Sequence, residues 1–144
     1  MKNNSTCKVI KPSDTIPTKQ GLANEVGISA HSVGSENIHL HRIFIPPLGK
    51  AKAHKHSGHE SAIYALEGRS GCYYGDNLEE HAFVEQGYYF YIPANVPHLP
   101  YNPSEIQDCI ALVARTDPND QESVMMLPEL DVLPHILALP SRSR

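Results

Sequence analysis

Short stretches rich in apolar, β-branched and aromatic residues follow one another along most of the chain, and clusters of Gly, Pro, Asn and Asp separate these stretches. Runs of this length and composition between turn residues predict β-strands. The stretches are 8–11, 28–33, 38–45, 61–66, 71–74, 81–84, 88–92 and 106–114. No stretch before residue 120 keeps the helical period. The pattern therefore predicts an all-β sandwich or small barrel.

The two ends of the chain differ from its middle. With 144 residues the chain has the length of one domain, since domains have about 150 residues. Prolines and polar residues make 1–25 an N-terminal arm, and the strand pattern places the barrel at 26–116. The segment 117–144 is of mixed composition and contains several prolines. We expect it to form a C-terminal extension that packs on the barrel or on a partner subunit.

Charge and composition exclude several classes of function. The formal net charge is −4 and Lys and Arg form no block, so nothing favours binding to nucleic acid. No apolar run approaches the roughly 18 residues of a membrane span, and the first residues lack the apolar segment of a secretory signal. The three cysteines are far apart, which is typical of reduced thiols. We expect a cytoplasmic protein without nucleic-acid or membrane partners.

Histidine is the residue type that points to chemistry, with nine in the chain. His54 and His56 are two residues apart, so on a strand both imidazoles point to the same face. Glu60 follows four residues later, and His98 lies at the far end of another predicted strand. Imidazole nitrogens with a carboxylate oxygen are the ligands of a mononuclear site for a transition metal.

These residues belong to two motifs that resemble those of the cupin superfamily. The first motif consists of Gly49, His54, His56, Glu60 and Gly68, and the second of Gly87, Pro93, His98 and Asn102, with Asn95 where the family has Gly. Asn tolerates the left-handed conformation that such a turn needs. The resemblance implies a double-stranded β-helix, which is a small jelly-roll barrel. It also implies that His54, His56, Glu60 and His98 bind one divalent ion.

The first motif departs from the family spacing, which leaves the carboxylate ligand open. Seven residues separate Glu60 from Gly68, one more than in the family. If the strand positions are counted back from Gly68, Ser61 occupies the ligand position. If they are counted forward from His56, Glu60 occupies it. A β-bulge near 61–62 would reconcile the two counts. We expect Glu60 to be the ligand, with His59 as an alternative.

The resemblance implies a metal-dependent enzyme that acts on an oxygen-chelating small molecule, of isomerase, lyase, decarboxylase or dioxygenase type. The alternative is a cupin module that binds a metal, a ligand or a sugar without catalysis. We expect one divalent transition metal per chain, Fe, Mn, Ni or Zn, and a homodimer, because small β-sandwiches need their sheet edges covered. The candidates for substrate binding are His41, His59, Tyr89 and Tyr91.

Overall fold

A computed structural model describes residues 6–12 and 14–141, and shows two antiparallel sheets packed face to face. The ends of the predicted arm and extension, 1–5 and 142–144, lie outside the described residues, as does residue 13. The strands are β1 (Ile16–Pro17), β2 (Ala23–Ile28), β3 (His39–Ile45), β4 (His54–His56), β5 (Ser61–Glu67), β6 (Ser70–Tyr74), β7 (Glu80–Val84), β8 (Tyr89–Ile92), β9 (His98–Tyr101), β10 (Cys109–Arg115) and β11 (Val124–Met126). The prediction of an all-β jelly-roll barrel is confirmed.

From β3 onward the chain passes to the other sheet after every strand except β6, as expected for a double-stranded β-helix. One sheet has six strands in the order β1-β2-β3-β10-β5-β8, and the other has five in the order β11-β4-β9-β6-β7. Consecutive strands such as β4 and β5 therefore lie in opposite sheets. The chain crosses between sheets in tight turns, and several of these contain a glycine at positive φ, such as Gly58 and Gly68.

The interior holds apolar side chains from both sheets. Ile45, Cys109, Ala111 and Val113 from two neighbouring strands of the six-stranded sheet are all buried. They alternate with more exposed residues along each strand, as the period of two requires. Apolar burial of this kind provides most of the driving force for folding.

The C-terminal segment packs on its own barrel. Strand β11 pairs with β4, so it adds an edge to the five-stranded sheet. A 3₁₀ turn at Pro128–Leu130 and helix α2 at Pro134–Leu137 follow, and each begins with a proline. Leu130 and Ile136 are buried in one cluster with Ala53, Leu78 and Leu99.

Two predicted strands are absent. Residues 8–11 form no strand. Most of 28–33 forms a helical turn, Ala30–Val33, because the Ser29 side chain accepts a hydrogen bond from the Ser32 amide and caps it. Local capping outweighs the weak alternation of Ile28, Ala30 and Ser32 at this point. Within the described residues, no helix has the length and apolar character needed to cross a membrane.

Candidate metal centre

Three histidines converge inside the barrel. His54 and His56 lie on β4, and His98 lies on β9 directly opposite His54 in the strand register. All three are buried, and one nitrogen of each lies within 4.8 Å of the corresponding nitrogens of the others. The structure therefore brings together the three histidines that the sequence predicted, because i and i+2 positions share a face and adjacent strands align them.

Hydrogen bonds orient two of these rings. The Nδ1–H group of His54 donates to the Lys52 carbonyl at 2.7 Å, and that of His98 donates to the Val96 carbonyl at 2.9 Å. A carbonyl only accepts, so each ring is the Nδ1–H tautomer and its Nε2 carries the free lone pair. A backbone carbonyl on the far nitrogen is the usual partner of a metal-binding histidine.

The third ring shows an unsatisfied polar atom. Nδ1 of His56 is buried and has no hydrogen-bond partner among residues 6–12 and 14–141. Buried polar atoms are rarely left unpaired, so such an atom calls for an explanation. Three imidazoles with free lone pairs fit the donor set that zinc and other first-row divalent ions accept. The residues present thus fit a metal ion.

The second motif builds the turn that carries His98. Asn95 has φ 68°, which confirms the left-handed conformation expected of the residue that replaces Gly. Its amide donates to the His56 carbonyl at 3.0 Å, and its Oδ1 accepts from the Gly58 amide at 2.9 Å. This residue therefore holds the loop before β9 against the end of β4, which fixes the distance between the two histidine-bearing strands.

The histidines line a cavity of about 50 Å³ between the sheets. One water needs roughly 10–15 Å³ by the same measure, so the cavity has room for only a few small atoms or waters. Most of its lining is apolar, and none of the described lining residues is Asp or Glu. The polar lining residues are Gln20, His41, His54, His56, Ser61, Ser70, His98 and Arg115.

Arg115 places a positive charge in this cavity. It is the last residue of β10, its exposed fraction is 7%, and its Nε donates to Ser61 Oγ at 3.0 Å. Burial lowers the pKa of Arg115 to about 10, and Asp117 partly opposes the change. The side chain therefore remains a guanidinium at neutral pH.

Burial and this charge keep the histidines neutral. Burial lowers the pKa of His54 well below its usual value, and the neighbouring His98 lowers it further. Burial, then Arg115, lowers the pKa of His56. For His98, burial lowers the pKa to about 4, although the Val96 carbonyl opposes the shift. Neutral imidazoles are the form that binds a metal.

Glu60 does not join the histidines. Its side chain is exposed and accepts a hydrogen bond from the Tyr91 hydroxyl at 2.6 Å, whereas Ser61 is 2% exposed and lines the cavity. The expected register fails because β4 and β5 lie in different sheets, so alternation cannot be counted from His56 across the turn. The register shift lies at the other end of β5, opposite the step from Ile110 to Ala111, and not near 61–62.

The candidates for substrate binding on the six-stranded sheet lie on opposite faces of it. His41 lines the cavity. Tyr89 and Tyr91 are 81% and 59% exposed on the outer face of β8, because Phe90 and Ile92 are the residues that point inward. The two tyrosines therefore do not line the cavity, contrary to expectation.

His59 lies outside the described cavity lining. It is half-buried, and its Nδ1 lies 3.3 Å from Thr116 Oγ1. It therefore does not replace Glu60 beside the three histidines.

Sequence reasoning missed three polar residues of the cavity, Gln20, Ser70 and Arg115. Arg115 lies at the end of an apolar strand and belongs to no motif. Because Ala111 and Val113 point inward, alternation predicts that Arg115 points inward as well. Gln20 comes from the loop before β2, and its Oε1 is buried without a hydrogen-bond partner in the described part of the chain. No motif in the sequence marks Gln20.

Comparisons with known proteins agree with this architecture. A family model described as a cupin domain matches residues 41–114, which is about half of the chain, so the protein belongs to the cupin family. A comparison with curated protein sequences finds no match.

Solved structures share the fold at low sequence identity. The polyketide cyclase RemF from Streptomyces resistomycificus is 22% identical with a TM-score of 0.68, over 96% of this chain and 99% of that one. An oxalate decarboxylase from Bacillus subtilis with Mn(II) centres is 13% identical with a TM-score of 0.68, over 92% and 38%. An oxalate oxidase in complex with the substrate analogue glycolate is 18% identical with a TM-score of 0.64, over 77% and 57%.

Proposed function

We propose that this cupin is a divalent-metal enzyme whose substrate is a small anion that chelates through oxygen. The observation that carries the proposal is the position of Arg115 in the same cavity as three oriented histidines. The proposal covers isomerase, lyase, decarboxylase and dioxygenase chemistry, since each of these can act on a chelated oxygen substrate.

His54, His56 and His98 are the residues that would hold the metal. A bound divalent ion would supply Lewis acidity at a substrate oxygen. Imidazole suits Zn, Fe and Ni, whereas Mn prefers oxygen ligands, and none of the described lining residues is a carboxylate. A ligand set of three histidines without Glu60 therefore favours Zn, Fe or Ni.

The charge of the cavity selects an anion. A divalent ion beside the Arg115 guanidinium is a positive site in an apolar interior, where an uncompensated charge is costly. Ser61, at the position where the cupin motif has a carboxylate, is neutral and accepts a hydrogen bond from Arg115. We infer that the substrate provides the missing carboxylate or enolate.

The cavity volume of about 50 Å³ limits the size of this anion. It favours a carboxylate of a few heavy atoms over a polyketide, the substrate class in the printed name of RemF. Two structural neighbours are enzymes of oxalate, and one of them is seen with glycolate, an anion of this size. This likeness supports the size class and does not by itself assign a reaction.

Binding of oxalate to the zinc-loaded protein tests the proposal by calorimetry. We expect binding that requires zinc and weakens about tenfold to a hundredfold in Arg115→Met, since a charge-assisted hydrogen bond contributes about 1.5–3 kcal/mol. The matched control is Arg42→Met, because Arg42 pairs with Glu25 away from the cavity. Equal oxalate affinity in Arg115→Met and the unchanged protein, or binding without zinc, would overturn the proposal.

The predicted homodimer and cytoplasmic location remain predictions. The outer face of the six-stranded sheet exposes Tyr89 and Tyr91. Exposed aromatic residues on a sheet face are typical of contact surfaces between proteins. We propose that a second copy of the chain covers this face.

A further inference from the structure

A line of three hydrogen-bonded side chains runs from the surface to the cavity. Asp120 Oδ1 lies 2.7 Å from His39 Nε2, and His39 Nδ1 lies 3.0 Å from His41 Nδ1. His39 and His41 are 1% and 2% exposed, whereas the Asp120 side chain is 38% exposed. His39 and His41 are two residues apart on β3, so both rings lie on its inner face.

The two ends of this line open to different spaces. Asp120 lines a surface cleft of about 410 Å³, formed with His31 and the loop 118–122. His41 lines the interior cavity that contains the three histidines. We propose that Asp120, His39 and His41 form a proton relay between the surface cleft and a substrate in the cavity. The relay rests on the proposed function for the substrate that would exchange protons with His41. The contacts between Asp120, His39 and His41 do not depend on that function.

The carboxylate sets the protonation pattern of the resting relay. Asp120 as a carboxylate only accepts, so His39 carries its proton on Nε2 and leaves Nδ1 as an acceptor. His41 Nδ1 must then donate to His39 Nδ1. The remaining nitrogen of His41, Nε2, is left with a free lone pair, and this is the form of a general base.

Each proton can be followed through the relay. A proton taken from the substrate forms a bond to His41 Nε2, and the His41 Nδ1 proton moves to His39 Nδ1. His39 is then an imidazolium beside the Asp120 carboxylate, and its Nε2 proton leaves through that carboxylate to water. His41 now carries its proton on Nε2. When it donates that proton to product as a general acid, the His39 Nδ1 proton returns to His41 Nδ1, and a proton from water enters through Asp120 to His39 Nε2, which restores the resting state.

Electrostatics favours a relay over a charge held on His41. Burial lowers the pKa of His41 well below its usual value, and Arg115 and His39 lower it further. The groups around His41 are Arg115 on β10, His56 on β4 and His39 on its own strand, and none of them is anionic. Within this line of three side chains, only His39 contacts a carboxylate, at 2.7 Å.

Nuclear magnetic resonance of the metal-free protein tests the relay without any substrate. We expect His41 to carry its proton on Nδ1, and we expect this proton to exchange with water through the Asp120 end. In Asp120→Ala the tautomer bias should be lost and the exchange should slow by roughly tenfold or more. Asp120→Glu should restore both, which a purely structural contact would not require.

Glu122→Ala is the matched control, because Glu122 lies in the same loop and changes the net charge equally. It should leave both the tautomer and the exchange unchanged. A proton on Nε2 of resting His41, or an exchange rate that is the same in Asp120→Ala, would overturn the relay. Metal binding by His54, His56 and His98 is measured separately, so failure of the proposed metal function gives a different result.

Discussion

Acidification of the metal-free protein should destabilise it steeply between pH 6.5 and pH 4. Burial is the first cause of the lowered pKa of His41, His54, His56 and His98. In the unfolded chain each histidine titrates near its ordinary value of about 6.5. The unfolded state therefore binds more protons below pH 6.5, so stability present above that pH is lost as the pH falls.

The loss of folding free energy follows from the difference between the pKa of each histidine in the unfolded chain and in the folded protein. At pH 5, each buried histidine that stays neutral costs the fold about 2 kcal/mol, since one pKa unit corresponds to about 1.4 kcal/mol. Four such groups cost up to about 8 kcal/mol, which is comparable with the total stability of a domain, about 5–15 kcal/mol. Acid unfolding is therefore expected near pH 5.

Urea unfolding followed by circular dichroism at several pH values measures this slope after removal of metal by a chelator. His98→Asn should reduce the slope by about one proton, or about 1.4 kcal/mol per pH unit, because the pKa of His98 is lowered to about 4. His135→Ala, which changes an exposed histidine, is the control. Stability that is flat or rises from pH 7 to pH 5 would refute the reasoning.

Three further predictions concern the metal, the turns and the assembly. Zinc should shift acid unfolding to lower pH, as differential scanning fluorimetry can show, because metal and protons compete for the same nitrogens. Gly68→Ala should destabilise by more than about 2 kcal/mol, since φ is +74° and a Cβ would clash with the Asp108 carbonyl. Gly87 has a positive φ but open space around an added Cβ, so Gly87→Ala should lower the free energy of unfolding by only about 1 kcal/mol in the same urea assay. Light scattering should give twice the chain mass of 15.9 kDa.

The fold and the three histidines followed from the sequence because both depend on local rules. The His54 and His56 spacing and the turn at Asn95 are each decided within a few residues. The carboxylate position was not decidable in this way, since Glu60 and Ser61 lie at a crossing between sheets where the register is set by pairing with β8 and β10.

The contacts of Asp120 and Gln20 also could not be predicted from the sequence. Asp120 reaches His39 across 81 residues of chain, and no local pattern reports such a contact. Gln20 enters the cavity from a loop whose path depends on the packed barrel. Alternation along β10, in contrast, predicts the inward orientation of Arg115, because Ala111, Val113 and Arg115 occupy every second position of the strand.

Metal stoichiometry of the untagged protein, measured by mass spectrometry after dialysis against zinc, tests the central claim most directly. We predict one ion per chain in the unchanged protein and in Glu60→Ala and Ser61→Ala. His98→Ala should lose the ion, while His135→Ala, on the exposed surface, should keep it. Full occupancy in His98→Ala, or loss of the ion in Glu60→Ala alone, would contradict a site built from His54, His56 and His98.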